Sequence, residues 1–194
     1  MKFLIDGHAR RVGFRIEQWP EGVAGQLLTP LTGYRRGHEV YAIDNGAYTS
    51  FRMDRFKSIL RREYHVRHQS LFVAIPDKVG CHKATLELWE QHNHLCDGWA
   101  KAFVAQEGYD GMPSNADVLF IGGTNVFKDS QESINAVKDA LGNGKKVHIG
   151  RINAPERFIR FHLAGAHTCD GSGVSRYDHM LPRIRDAVNA LSAN

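Results

Sequence analysis

ADVLFIGGTNVFKDSQESINAVKDALGNGKKVHIGRINAPERFIRFHLAGAHTCDGSG, residues 116–173, holds three short apolar runs separated by two helical patterns. The runs are Val118 to Ile121, Lys146 to Ile149 and Ala166 to Cys169, and the helical patterns are Ser130 to Leu141 and Ala154 to Leu163. Ser130 or Asp129 can cap the first helix, Gly142 with Gly144 can end it, and Pro155 suits the first turn of the second. Strand followed by helix, repeated, is the signature of an α/β fold. Runs that are apolar throughout fit a parallel sheet covered on both faces.

Upstream the same pattern gives strands at Lys2 to Ile5, Ala24 to Leu28, Val40 to Ile43, Leu71 to Ile75 and Ala102 to Ala105. Helices are predicted at Asp54 to Glu63 and at Lys83 to Gln91, extending toward Trp99. A last helix covers Tyr177 to Leu191, with Pro182 marking a break or its true start. Eight strands are the number that closes a (β/α)8 TIM-type barrel. Two places resist a regular barrel. EGYDGMPSNAD between Gln106 and Val118 is too short for a crossover helix, and the first strands are separated by irregular sequence bearing Gly and Pro. The expectation is a compact or irregular barrel forming one domain over residues 1–194. An open doubly wound sheet is the alternative, but no G-x-G-x-x-G follows the first strand.

Five runs end on a polar residue or a glycine pair: YAID at Asp44, LFVAIPD at Asp77, AFVAQ at Gln106, VLFIGG at Gly122 and Gly123, and AHTCD at Asp170. In a barrel these ends meet at one rim, where such enzymes keep their chemistry. Two carboxylates there, Asp44 and Asp170, could share the work of breaking a glycosidic bond, one attacking the anomeric carbon and the other handling protons. Asp77 and Gln106 offer hydrogen-bonding groups suited to a purine edge. Each has a plainer role, since an Asp at a strand end also starts an Asx-turn and a glycine pair also ends many strands.

The chain carries 25 Lys and Arg against 21 Asp and Glu, for a formal net charge of +4, with 11 His besides. Basic residues cluster in HARRVGFR, YRRGH, FRMDRFKSILRREYHVRH and RINAPERFIRFH, with Phe or Tyr interleaved in most. A phosphate backbone is drawn to such segments. Arg52 to Arg67 is equally read as the solvated face of a helix with Phe56, Ile59 and Leu60 inside. Cys81, Cys96 and Cys169 are odd in number and form no CxxC pair, which fits reduced thiols and argues against structural zinc. No apolar stretch approaches a membrane span and MKFLIDGHARR lacks the features of a signal peptide, so a cytoplasmic protein is expected.

The ordered segments IDNGAY, FVAIPD, FVAQEG, LFIGGTNV and VHIGRINAPERFIRFHLAGAHTCDGSGVSR resemble the tRNA-guanine transglycosylases. The last is the most specific, with Gly150, Pro155, Gly165 and Asp170 in the family's layout. The resemblance spans about Val40 to Arg176 and implies a barrel that exchanges guanine in nucleic acid for a 7-deazaguanine. It implies that Asp170 is the nucleophile on C1′ and Asp44 the general acid/base. Asp77 and Gln106 would grip the base edge, the Gly122-Gly123 backbone would meet the base carbonyl, and Arg176 would contact the polymer. Asn45 and Gly46 stand where the family has Ser-Gly-Gly, which alters base stacking and loop closure.

The family's cysteine cluster is missing after Asp170, so no metal or other cofactor is expected. A short zinc-free chain most resembles the DNA 7-deazaguanine transglycosylases of bacteriophages, which favours DNA as partner over tRNA and places the protein in a host cytoplasm if phage-encoded. A homodimer or an accessory DNA-binding protein could supply the contacts of the missing module. A DNA glycosidase or deoxyribosyltransferase is the alternative enzyme. The alternative without catalysis is a basic nucleic-acid-binding barrel, which Asp44 and Asp170 buried in separate ion pairs would favour.

Overall fold

The computed structural model describes residues 1–192. Eight parallel strands close a barrel in chain order, with helices packed around it, a TIM-type (β/α)8 architecture. The strands are β1 Lys2–Asp6, β2 Val23–Leu28, β3 Tyr41–Ile43, β4 Ser70–Ala74, β5 Lys101–Ala105, β6 Val118–Ile121, β7 Lys146–Ile149 and β8 Thr168–Asp170. Closure comes from β8 pairing with β1, where Leu4 lies opposite Asp170.

The helices are α1 Ala9–Gln18, α2 Met53–Glu63, α3 His82–His92, α4 Asn125–Asp129, α5 Gln131–Gly142, α6 Pro155–Leu163, α7 Ser172–Arg176 and α8 Met180–Ser192. Ser130 caps α5 by accepting the Ser133 N–H, and Pro155 opens α6. On α2 the side chains of Phe56, Ile59 and Leu60 are buried, as its sequence predicts.

Three expectations need correction. The segment after β1 is not irregular but forms α1, whose buried residues are Val12 and Arg15; its arginines hid an amphipathic face. The last strand starts later than Ala166 and includes Asp170, which is therefore fixed by the sheet rather than carried on a loop. The final helix begins at Met180, so Pro182 falls in its first turn, where a missing N–H costs nothing. No helix follows β2 or β5, so the barrel is irregular after β5, as EGYDGMPSNAD predicts, and between β2 and β3 among the first strands.

Alternation along each strand sorts the side chains into two layers. Leu4, Leu27, Ala42, Phe72, Ala74, Ala102, Val104, Val118 and Phe120 fill the barrel interior. The alternate positions, among them Phe3, Ile43, Val73, Phe103, Leu119 and Ile149, pack outward under the helices. Each fully buried Leu or Phe contributes roughly 1.5–3 kcal/mol. The inward set also dictates what stands at the rim. Two residues beyond Leu4, Ala42, Val104 and Phe120 come Asp6, Asp44, Gln106 and Gly122. Cys81 is exposed, Cys96 and Cys169 are buried, and all three are free thiols. Among the described residues no helix is long and apolar enough to cross a membrane.

Candidate active site at the strand C-termini

Asp44, Asn45, Asp77, Gln106, Gly122, Gly123 and Asp170, contributed by the ends of five strands, line one narrow pocket. Tyr48, Val79, Val104, Phe120, Gly150 and Arg151 complete its wall. Of the remaining sequence candidates, Gly46 lies behind the pocket in the turn after Asp44, with φ +78 and its N–H donating to Asp44 Oδ2 at 3.3 Å. Arg176 ends α7 and lines a separate, neighbouring cleft.

Asp170 is held at both oxygens. Oδ1 accepts the backbone N–H of Arg151 at 3.1 Å, and Oδ2 lies 3.1 Å from His148 Nε2. His148 points inward from β7 and is wholly buried between the rings of Phe72 and Phe120, whose centroids lie 4.8 and 4.5 Å from its own. Its Nδ1 lies 2.9 Å from Thr168 Oγ1. Burial pushes the imidazole below its ordinary pKa, partly offset by Asp170. A neutral ring whose Nδ1 accepts a hydrogen bond from the Thr168 hydroxyl therefore donates Nε2–H to Asp170.

Arg151 is the one non-glycine residue with positive φ among those described, at +58. Such a conformation persists where surrounding contacts over-determine it. Three do so here. Its N–H binds Asp170, its guanidinium donates to the Gly123 carbonyl, and its guanidinium carbon lies 3.4 Å from the centroid of the Tyr48 ring. Tyr48 and Arg151 thus form a flat cover over the pocket. Gly123, at φ +68, must be glycine for a second reason, because a Cβ there would meet Phe127 at 2.6 Å.

The Asp77 carboxylate is held by amides. Oδ1 accepts from Asn45 Nδ2 at 2.8 Å and Oδ2 from Gln106 Nε2 at 2.6 Å. Both amides are themselves locked: Gln106 Oε1 accepts the Gly80 N–H, while Asn45 Oδ1 accepts the Ala47 N–H and its Nδ2 also donates to the Ile75 carbonyl. Asn45 and Gln106 therefore orient Asp77. Burial raises the Asp77 carboxyl to about 6 against these two hydrogen bonds.

Asp44 is raised further, to about 7, by burial first and then by the negative charges of Asp170 and Asp77. It forms no salt bridge among the described residues, and it shares its pocket with Asp170, unlike two acids buried in separate ion pairs. A carboxyl poised near neutrality beside a carboxylate fixed by two donors is an arrangement able to move a proton and deliver a nucleophile. Buried Lys128 on α4, with no hydrogen-bond partner for its Nζ among the described residues, is pushed down to about 7 by burial and by Arg151. Among the described residues no group of three or more His, Cys, Asp or Glu is arranged to hold a metal.

Sequence reasoning missed Arg151 and Asp6. Asp6 ends β1 and is raised to about 6 by burial and by Asp170, its neighbour across the β1–β8 seam. The run KFLID ends on an acid as YAID does, so the signal for Asp6 was present. Locally Arg151 is marked only as part of the basic segment RINAPERFIRFH, and its contacts come from Gly123, Tyr48 and Asp170 on other segments.

No protein-family model matches this chain, and no curated protein matches it either.

Proposed function

We propose that the chain is a DNA-guanine transglycosylase that exchanges guanine for a 7-deazaguanine, such as 7-cyano-7-deazaguanine, through a covalent glycosyl-aspartate. The observation that carries this reading is the single pocket shared by Asp44, Asp77, Gln106, Gly122, Gly123 and Asp170. Those are the residues to which the transglycosylase resemblance gives catalytic and base-binding roles, and they converge from five strand ends.

An Asp170 oxygen attacks C1′ as the bond to guanine N9 breaks, and Asp44, protonated, gives its proton to the departing base. The incoming deazaguanine returns a proton from N9 to Asp44 as its nitrogen attacks C1′ and expels Asp170. Two inversions leave the sugar configuration unchanged. Protons and charge balance over the cycle, and one glycosidic bond replaces another. Asp77, aimed by Asn45 and Gln106, accepts N–H groups from the guanine edge, while Tyr48 and Arg151 cover its face. The target nucleotide must leave the duplex stack, or come from a single strand, for its C1′ to reach Asp170.

The test is incubation with DNA carrying labelled guanine, with and without 7-cyano-7-deazaguanine, followed by nucleoside mass spectrometry. Deazaguanine in the polymer and released guanine in equal amounts are expected. Abasic sites in both arms would mark a glycosidase instead, and exchange confined to tRNA would replace DNA as the polymer.

A further inference from the structure

Beside the base pocket, across the β8–β1 seam, lies an open cleft of about 600 Å³. That volume is within the roughly 300–1,000 Å³ that accommodates a nucleotide-sized ligand. Asp6 stands at the boundary, near enough to feel both Asp170 and Arg176. Beyond it the floor and walls are His8, Arg10 and Arg11 at the start of α1, Tyr34 on the loop after β2, and Arg176.

This cleft is built. Gln26, fully buried on β2, donates Nε2–H to the carbonyls of Gly7 and Arg35 at 2.7 and 3.1 Å and accepts the Gly37 N–H at 2.8 Å. One side chain thereby ties the Tyr34 loop to the end of β1. Arg62 adds a bond to the Tyr34 carbonyl at 3.1 Å, and the Tyr34 ring meets His8 edge-on at 6.1 Å. The opposite wall is pinned by Arg11, whose guanidinium donates to the carbonyls of Ser175 and Arg176.

Its charge is positive. Asp178 is shared by Arg11 at 2.8 Å and Arg15 at 3.2 Å, two cations to one anion. Arg10 and Arg176 are exposed and form no salt bridge among the described residues. Asp6, the other acid, is raised toward neutrality by burial.

We infer that this cleft binds the nucleotide adjoining the target in a single or locally opened strand, with its phosphate at Arg10 and Arg176 and its base against Tyr34. A cationic groove with an exposed aromatic ring is the chemistry that holds single-stranded nucleic acid without choosing its sequence. The inference rests on the transglycosylase reading for one point, that the sugar is centred on Asp170 and the strand runs outward from it.

The test is fluorescence anisotropy of a labelled single-stranded oligonucleotide over a salt series, with Arg10→Ala, Tyr34→Ala and, on the exposed face of α2 outside the cleft lining, Arg61→Ala. Arg10→Ala is expected to lower the slope of log affinity against log salt by about 1. Tyr34→Ala should weaken binding by about 5- to 100-fold, and Arg61→Ala should change little. Unchanged binding in the first two variants, or an equal loss in Arg61→Ala, overturns the inference. So does a free mononucleotide that binds as tightly as the oligonucleotide with the same dependence on Arg10 and Tyr34. Base exchange is measured on the same samples. Exchange without the expected binding losses sinks the cleft alone, and the losses without exchange sink the transglycosylase reading alone.

Discussion

Asp170 and Asp77 face the same pocket but are held by different means. Asp170 receives a buried imidazole N–H and the backbone N–H of a residue in a left-handed conformation. Asp77 receives two side-chain amides, each locked by further hydrogen bonds to backbone. The difference teaches what each carboxylate is suited to. The amide pair leaves Asp77 a fixed acceptor, fit to read a ring edge. The imidazole and the Arg151 amide aim Asp170 with donors that remain when its charge is lost to a bond, fit for a group that reacts.

The sharpest way to break this contrast is Asp170→Asn, which should lower guanine exchange by at least about 10³-fold while leaving the circular dichroism spectrum unchanged. Comparable exchange in the variant would make the two acids equivalent. Asp44→Asn comes next, with a loss of about 10²- to 10³-fold. In the wild type, single-turnover guanine release should fall as pH rises through about 7, because Asp44 must be protonated to give its proton away. A variant that keeps that limb would remove Asp44 from the reaction.

His148→Phe keeps the ring volume and deletes the donor to Asp170. Lowered kcat, by roughly 10- to 100-fold, with little change in KM is expected from steady-state rates. The opposite split is expected on the Asp77 side. Gln106→Ala should raise KM for the incoming base about tenfold, which is the loss of one hydrogen bond to a charged group, and barely slow release of guanine in a single turnover. Matching patterns in the two variants would erase the division of labour.

The smallest effect concerns stability. Asp44 has a folded pKa raised to about 7 from an ordinary value of 3.8, so the folded state binds the extra proton. Its contribution is fully present below the unfolded pKa and is lost as pH rises through about 7. Asp44→Asn, which cannot ionise, should therefore stabilise the fold at pH 8 relative to pH 5, by at least about 1 kcal/mol. Denaturant midpoints of the variant and the wild type at the two pH values check this, and equal differences at both would count against the raised pKa.

The two sides of the pocket also differ in how well the sequence displayed them. Asp44, Asp77, Gln106 and Asp170 each close an apolar run, so strand alternation and the polar step at its end make them visible. His148 sits inside such a run. It was visible as a histidine, but its tie to Asp170 depends on β7 and β8 lying side by side with their inward residues at matching height. Arg151 was visible only as the first residue of the basic segment RINAPERFIRFH. Helix α1 was hidden for a related reason, since its buried face includes Arg15, which hydropathy assigns to water and whose guanidinium is met inside by Gln18, Asp178 and the Phe14 ring.

By itself the sequence determined the order of eight strands, the positions of most long helices, the missing crossover helix after β5, and the polar residues at the strand ends. These follow from local chemistry: apolar periodicity, caps, and turn residues act over a few neighbours. Tertiary structure alone decided the register at which β8 meets β1, which brings Asp6 beside Asp170 and opens the cleft toward Arg10. It also decided that His148 and Arg151 share Asp170, and that Gln26 ties a distant loop to the rim. Hydrogen bonds and charges between residues tens or hundreds of positions apart have no signature along the chain, and exist only once folding has set their distances.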